Sequence, residues 1–135
     1  MKMFREFVVY HHSSLEFRAK LLTLMISSNG EINECEKQKL KEVAHTIYSE
    51  DYERAELLID TVHEYHTKII TRNGLDFEHL IQQVAKDVKE AKRFCKKIDI
   101  GPLAELMKCT EDEDERLFQH RILEFLQMLK QECRV

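Results

Sequence analysis

The order of apolar and polar positions along the chain reads as a succession of helices. Leu15, Ala19, Leu22 and Ile26 recur at helical spacing, and Leu21, Leu24 and Met25 widen the stripe. Ser13 with Glu16 is a capping box that opens this first helix, and Asn29-Gly30 closes it. Gly30 can take the positive φ that a helix C-terminus uses, and Asn29 tolerates similar geometry. Asn33 then offers an N-cap oxygen with Glu36 three residues on, so a second helix is predicted over 34–48 on Leu40, Val43, Ala44 and Ile47. Ser49 or Asp51 caps a third over 52–71, which turns Ala55, Leu58, Val62, Tyr65 and Ile69 inward.

Asn73-Gly74 ends that helix and Asp76 caps the fourth, the longest, predicted as one piece over 77–98. Its stripe includes Leu80, Val84, Val88, Ala91, Phe94, Cys95 and Ile98. Gly101-Pro102 breaks the pattern, and a short fifth helix covers 102–109. Thr110 with Glu113 forms another capping box, before a last helix on Phe118, Ile122, Phe125, Leu126 and Leu129. No segment alternates as a strand would, and the connections are short. The fold class is therefore all-α, a bundle of about six or seven helices. Residues 1–12 form a lead-in, and residues 13–135 form one domain. The apolar lead-in residues Phe4, Phe7, Val8 and Val9 can fold onto the bundle, swap to a second chain or touch a membrane, and packing onto the bundle is the expectation.

A single shift along the sequence lays Leu21, Leu24 and Met25 on Leu103, Leu106 and Met107, and Leu40, Val43, Ala44 and Ile47 on Ile122, Phe125, Leu126 and Leu129. Two helical hairpins with acidic corners would then frame the third and fourth helices. The same shift puts Glu36 on Phe118.

Composition narrows the function classes. A formal net charge of −4 gives no general electrostatic case for nucleic-acid binding. Cys35, Cys95, Cys109 and Cys133 are widely spaced with no CxxC pair, which removes zinc-knuckle and thioredoxin-type sites and leaves free thiols in a reducing compartment as the expectation. Phe7-Val8-Val9-Tyr10 is too short for a signal-peptide core, and no stretch approaches the roughly 20 apolar residues of a membrane span. The expected location is cytoplasmic, with peripheral contact at the inner face of the membrane left open.

Candidate chemistry is sparse. Ser13, Ser14, Ser27, Ser28 and Ser49 sit at helix ends, where capping explains them. Carboxylate–x–x–His pairs occur at Glu42 and His45, Asp60 and His63, and Asp76 and His79. A di-metal helical-bundle enzyme would use such pairs, but these lie beside the apolar stripes rather than within them. Lys86, Lys89, Arg93, Lys96 and Lys97 recur along the fourth helix off its apolar face. They read either as a contact for an acidic partner or anionic lipid, or as a solvated face whose cations favour a helix C-terminus.

The first corner carries a family resemblance. An apolar helix, then Asn29-Gly30-Glu31-Ile32, then Glu34-Cys35-Glu36-Lys37 and a second amphipathic helix resembles the signature of the tellurite-resistance TerB-like domain, which also occurs in DjlA-type membrane co-chaperones. The resemblance implies an all-helical, non-catalytic binding or scaffold module with a protein partner, in stress- or envelope-related roles. The sequence itself leaves a homo-oligomer open. The resemblance also implies acidic corner residues that hold a divalent ion such as Ca²⁺: Asn29, Glu31 and Glu36 at the first corner, and Glu111, Asp112 and Glu115 at the second. Asn29 stands where the family has Asp, and Phe118 where the repeat would put a second Glu. A hard cation asks for about six to eight oxygens, so both corners would have to supply them together. With no ion, the same carboxylates serve as caps and as partners of the helix dipole. The rival readings are the di-metal enzyme and a metal-free structural interaction domain.

Overall fold

The segment Ser14–Ile26 (α1) is apolar almost all round, and a helix of that kind belongs in the middle of a bundle. Leu15, Phe17, Ala19 and every residue from Leu21 to Ile26 are buried. The structure, a computed structural model, describes residues 14–27, 31–72 and 76–133. Among these all regular structure is helical. Around α1 stand α2 (Glu34–Ile47), α3 (Tyr52–Ile70), α4 (Phe77–Glu90), a 3₁₀ helix (Lys92–Lys97), α5 (Ile100–Met107) and α6 (Glu113–Glu132). Ser13, Asn29, Gly30, Asn73, Gly74 and the lead-in lie outside the described residues.

Central α1 packs most extensively on α3, then on α4, α5 and the 3₁₀ helix. Phe17 stacks on Phe94 of the 3₁₀ helix with ring centroids 4.8 Å apart. Lys20 reaches Asp87 of α4 at 2.6 Å, with only 14% and 6% of the two side chains exposed. The second helix packs on α3 and α5, while α5 packs on α6. Hence α1–α2 and α5–α6 are not equivalent hairpins, although both share the apolar spacing on which the repeat was drawn.

Local signals place most ends. Asn33 caps α2 through a complete capping box: its Oδ1 accepts from the Glu36 amide at 2.8 Å, and Glu36 Oε1 accepts from the Asn33 amide at 3.1 Å. Asp51 caps α3 and Asp76 caps α4 in the predicted way. Asn33→Ala removes the cap, and with it the Nδ2 bond to the Cys109 carbonyl. It should cost about 1–2 kcal/mol in a urea melt, with Asn33→Asp retaining most of the cap's contribution. An unchanged midpoint would show that the corner is held by other contacts.

Four expectations change. The predicted 77–98 helix divides: Ala91 takes φ −138°, ψ 91°, and a 3₁₀ helix follows. The break lets Phe94 face Phe17 and Cys95 face α6, a case of tertiary packing overriding local propensity. The fifth helix begins at Ile100 instead of Pro102, because the first four amides of a helix have no internal partner and a proline there loses nothing. At the second corner Asp112, not Thr110, caps α6, through the Asp114 amide at 2.8 Å. Thr110 is 4% exposed, and its hydroxyl has no hydrogen-bond partner among the described residues.

The fourth change is the largest. All four cysteines are paired, Cys35 with Cys109 and Cys95 with Cys133, at Cα separations of 5.5 and 6.1 Å. The expected free thiols are replaced by two covalent ties. Wide spacing in sequence had hidden this, since it says nothing of which helix ends meet in space.

Candidate functional site

The two acidic corners do come together. The Cys35–Cys109 disulfide joins the first turn of α2 to the end of α5, and Asn33 Nδ2 donates to the Cys109 carbonyl at 3.4 Å. Their carboxylates nevertheless do not converge. Glu36 is fully buried and serves the capping box, while Glu31, Glu111 and Asp112 are exposed and Glu115 is half-buried on α6. Asp112 is occupied as an N-cap. Among the described residues no three His, Cys, Asp or Glu side chains form a group able to hold a metal ion, and Asn29 lies outside them. This donor set does not fit a hard cation that needs about six oxygens.

The carboxylate–histidine pairs also resolve differently. His45 Nε2 meets Glu56 Oε2 of α3 at 2.8 Å, rather than pairing with Glu42. Asp76 caps α4 with Oδ1 and lies 3.3 Å from its own His79 through Oδ2, both exposed. Neither arrangement points two imidazoles at one centre.

A buried polar contact that the sequence did not announce lies at the C-terminal end of α1. Ser27 Oγ is hydrogen-bonded to His66 Nδ1 at 2.8 Å, and Gln119 Nε2 donates to the Met25 carbonyl at 2.8 Å. Met25 is among the last residues of α1, whose carbonyls have no partner within the helix, so Gln119 caps it from α6. The Ser–His distance is that of an activated nucleophile. Yet Ser27 is only 8% and His66 only 5% exposed, and the contact joins α1 to α3 inside the core. Its geometry serves packing. Ser27 is thus a core partner rather than the simple cap expected. The usable signal was periodic: His66 continues Leu58 and Val62, and Gln119 precedes Ile122 and Leu126 on the inner face.

The basic run divides with its helix. Lys86 and Lys89 stay on α4, exposed, with Lys86 3.8 Å from Glu90. Arg93 lies over the Phe94 ring at 4.8 Å. Lys96 and Lys97 leave that face and turn to a cleft of about 80 Å³ where α1, α2, the 3₁₀ helix and α5 meet. Leu21, Leu22, Val43, Ile47 and Leu103 give it an apolar floor, and Arg18, Lys96, Lys97 and Asp99 line it with charge.

Arg18 is the residue sequence reasoning missed, because it is one of only two cations, with Lys20, on a helix whose pattern is otherwise mostly apolar. It is half-buried, with Nη1 donating to the Tyr48 hydroxyl at 3.1 Å and its guanidinium 5.3 Å from the Tyr48 ring centroid. Tyr48 thereby fixes the fork and leaves further N–H donors free to turn to the cleft. Among the described residues Arg18, Lys96 and Lys97 form no ion pair with a carboxylate. The contrast is with nearby Lys39 and Lys108, both held by Glu105 at 3.6 and 3.0 Å. The hydrogen bond and charge of Lys108, with the charge of Lys39, draw the Glu105 carboxyl below the usual carboxylate range.

No family model matches the chain, and neither curated proteins nor solved structures yield a match.

Proposed function

We propose that the chain is a non-catalytic, TerB-like binding module whose ligand is an anion taken at the cleft of Arg18, Lys96 and Lys97. The observation that carries this is that, among the described residues, three cations line one apolar cleft against a single carboxylate, Asp99. Like charges gathered at a partly desolvated site repel one another, and an anion relieves that repulsion. The non-catalytic part rests on the resemblance of the first corner, which is a fold-level analogy. The pairing of all four cysteines favours an oxidising compartment over the cytoplasm. An envelope-related role is the part of the resemblance that agrees with this. The whole basic run allows either a contact for an acidic partner or anionic lipid or a solvated face, and the contact reading now centres on its last two lysines and Arg18.

Thermal melts at constant ionic strength test it, with phosphate, citrate and butyrate titrated against the intact protein and against Arg18→Gln/Lys97→Gln. A ligand that binds only the folded state at a hundredfold excess over its Kd adds about 2.7 kcal/mol of stability. The expected result is a saturable rise in Tm with at least one anion, lost in the double variant. No rise with any of the three, or an equal rise in the variant, would sink the reading.

A further inference from the structure

We infer that the anion is a monocarboxylate carrying a short aliphatic group, with its carboxylate against Arg18 and Lys97 and its tail on the apolar floor. This rests on the anion-binding reading above and narrows its ligand class. Three features of the cleft select it.

The first is the floor. Leu21, Leu22 and Leu103 are buried beneath the cleft and, with Val43 and the half-buried Ile47, make its wall apolar, so an inorganic anion would satisfy the cations while leaving water against that wall. A ligand with an apolar end displaces that water and gains about fourfold in affinity for each methylene it buries. The second feature is size. At about 80 Å³ the space is close to half the ~150 Å³ of an apolar cavity that accepts benzene, so it takes a tail of about three or four carbons and no long acyl chain. The third is charge. Arg18 presents a planar fork suited to two-point contact with a carboxylate, while Asp99 on the same rim repels a second negative charge. A monoanion meets both conditions better than a phosphate dianion.

The geometry also explains why the sequence needs the break at Ala91. A continuous helix would keep Lys96 and Lys97 on the α4 face with Lys89. The 3₁₀ turn, tied at Cys95 to Cys133, carries them to α1 instead.

The test is a titration of the full chain, followed by NMR or calorimetry, with acetate, propionate, butyrate, valerate and octanoate, and with phosphate and methyl phosphate beside them. N-acetyl-Gly-Val serves as a final arm, for a short aliphatic carboxylate at the end of a peptide. Affinity should climb about fourfold per carbon from acetate to butyrate or valerate and fall at octanoate. It should drop at least tenfold in Arg18→Gln, with circular dichroism showing that the variant is folded. A second variant, Val43→Phe, narrows the cleft without touching its charge and should abolish the chain-length dependence. Tighter binding of the dipeptide than of butyrate would keep the chemistry and assign its source to a chain terminus. Equal affinity along the acid series, or phosphate binding tighter than butyrate, would overturn the aliphatic ligand and leave the anion-binding reading standing. No binding by any of these anions would remove both.

Discussion

Reduction of the two disulfides lowers the melting temperature by roughly 15–35 °C. The Cys35–Cys109 bond closes a separation of 74 residues and Cys95–Cys133 one of 38. On the chain-entropy account such loops contribute about 4.4 and about 3.9 kcal/mol to stability by restricting the unfolded chain. The loops interleave, since Cys95 lies inside the first, so the combined effect is smaller than their sum. A domain of this size loses about 3–5 °C per kcal/mol, which gives the range. Single variants at the more exposed partner, Cys35→Ser and Cys133→Ser, remove one bond each without placing a hydroxyl in the core, because Cys109 and Cys95 are the buried members. Each should lower stability by about 2–4 kcal/mol in urea. Cys133→Ser should in addition weaken butyrate binding, since it frees the turn that carries Lys96 and Lys97, whereas Cys35→Ser should not. The first check is alkylation of the denatured, unreduced protein. Labelling of the cysteines there would mean that the bonds are not formed in solution, and the compartment argument would fall with them.

The contrast between what the chain's pattern specified and what it left open follows from the range of the interactions. Caps are local. Asn33 with Glu36, Asp51 and Asp76 each bond an amide three residues away, so their placement could be read from spacing alone. The stripes of α1, α2 and α3 are equally local, and Leu40, Ala44, Ala55, Leu58 and Val62 are all fully buried. What spacing could not give is any contact across the bundle. Cys35 with Cys109, Gln119 with the Met25 carbonyl, Ser27 with His66 and Arg18 with Tyr48 join residues 74, 94, 39 and 30 positions apart. The break at Ala91 belongs with these. The 88–98 pattern is a good helix by period, and only the stacking of Phe94 on Phe17 and the pull of Cys133 on Cys95 make the 3₁₀ turn preferable. The cleft is half legible: the basic run that ends in Lys96 and Lys97 allows a contact, but their partner Arg18 lies on a helix whose pattern speaks only through its apolar face.

Loss of the Lys20 ammonium has the second large effect, and its sign reverses when its partner is removed as well. Lys20 Nζ and Asp87 Oδ2 lie 2.6 Å apart between α1 and α4, at 14% and 6% side-chain exposure. In so dry a place the pair's attraction largely offsets the cost of desolvating two charges, and little net stability remains. Removing one charge keeps the cost and discards the gain. Lys20→Met should therefore destabilise by about 3–5 kcal/mol, because it takes the ammonium at 2.6 Å away from a carboxylate that stays in the interior. The double variant Lys20→Met/Asp87→Leu replaces both charges by apolar groups of similar volume and should recover most of that loss. A urea-melt cycle over the four proteins measures the coupling directly. Equal and additive losses in the two single variants would show that water reaches the pair and that it behaves as a surface bridge, worth no more than about 1 kcal/mol. A large coupling with a stable double variant would instead mean that the pair fixes how α4 docks on α1 more than it stabilises the bundle. That docking sets where Ala91 breaks the chain, and so where the 3₁₀ turn can present Lys96 and Lys97. The double variant should accordingly be folded yet bind butyrate more weakly than the parent, a separation of stability from binding that a purely surface role for the lysines would not produce.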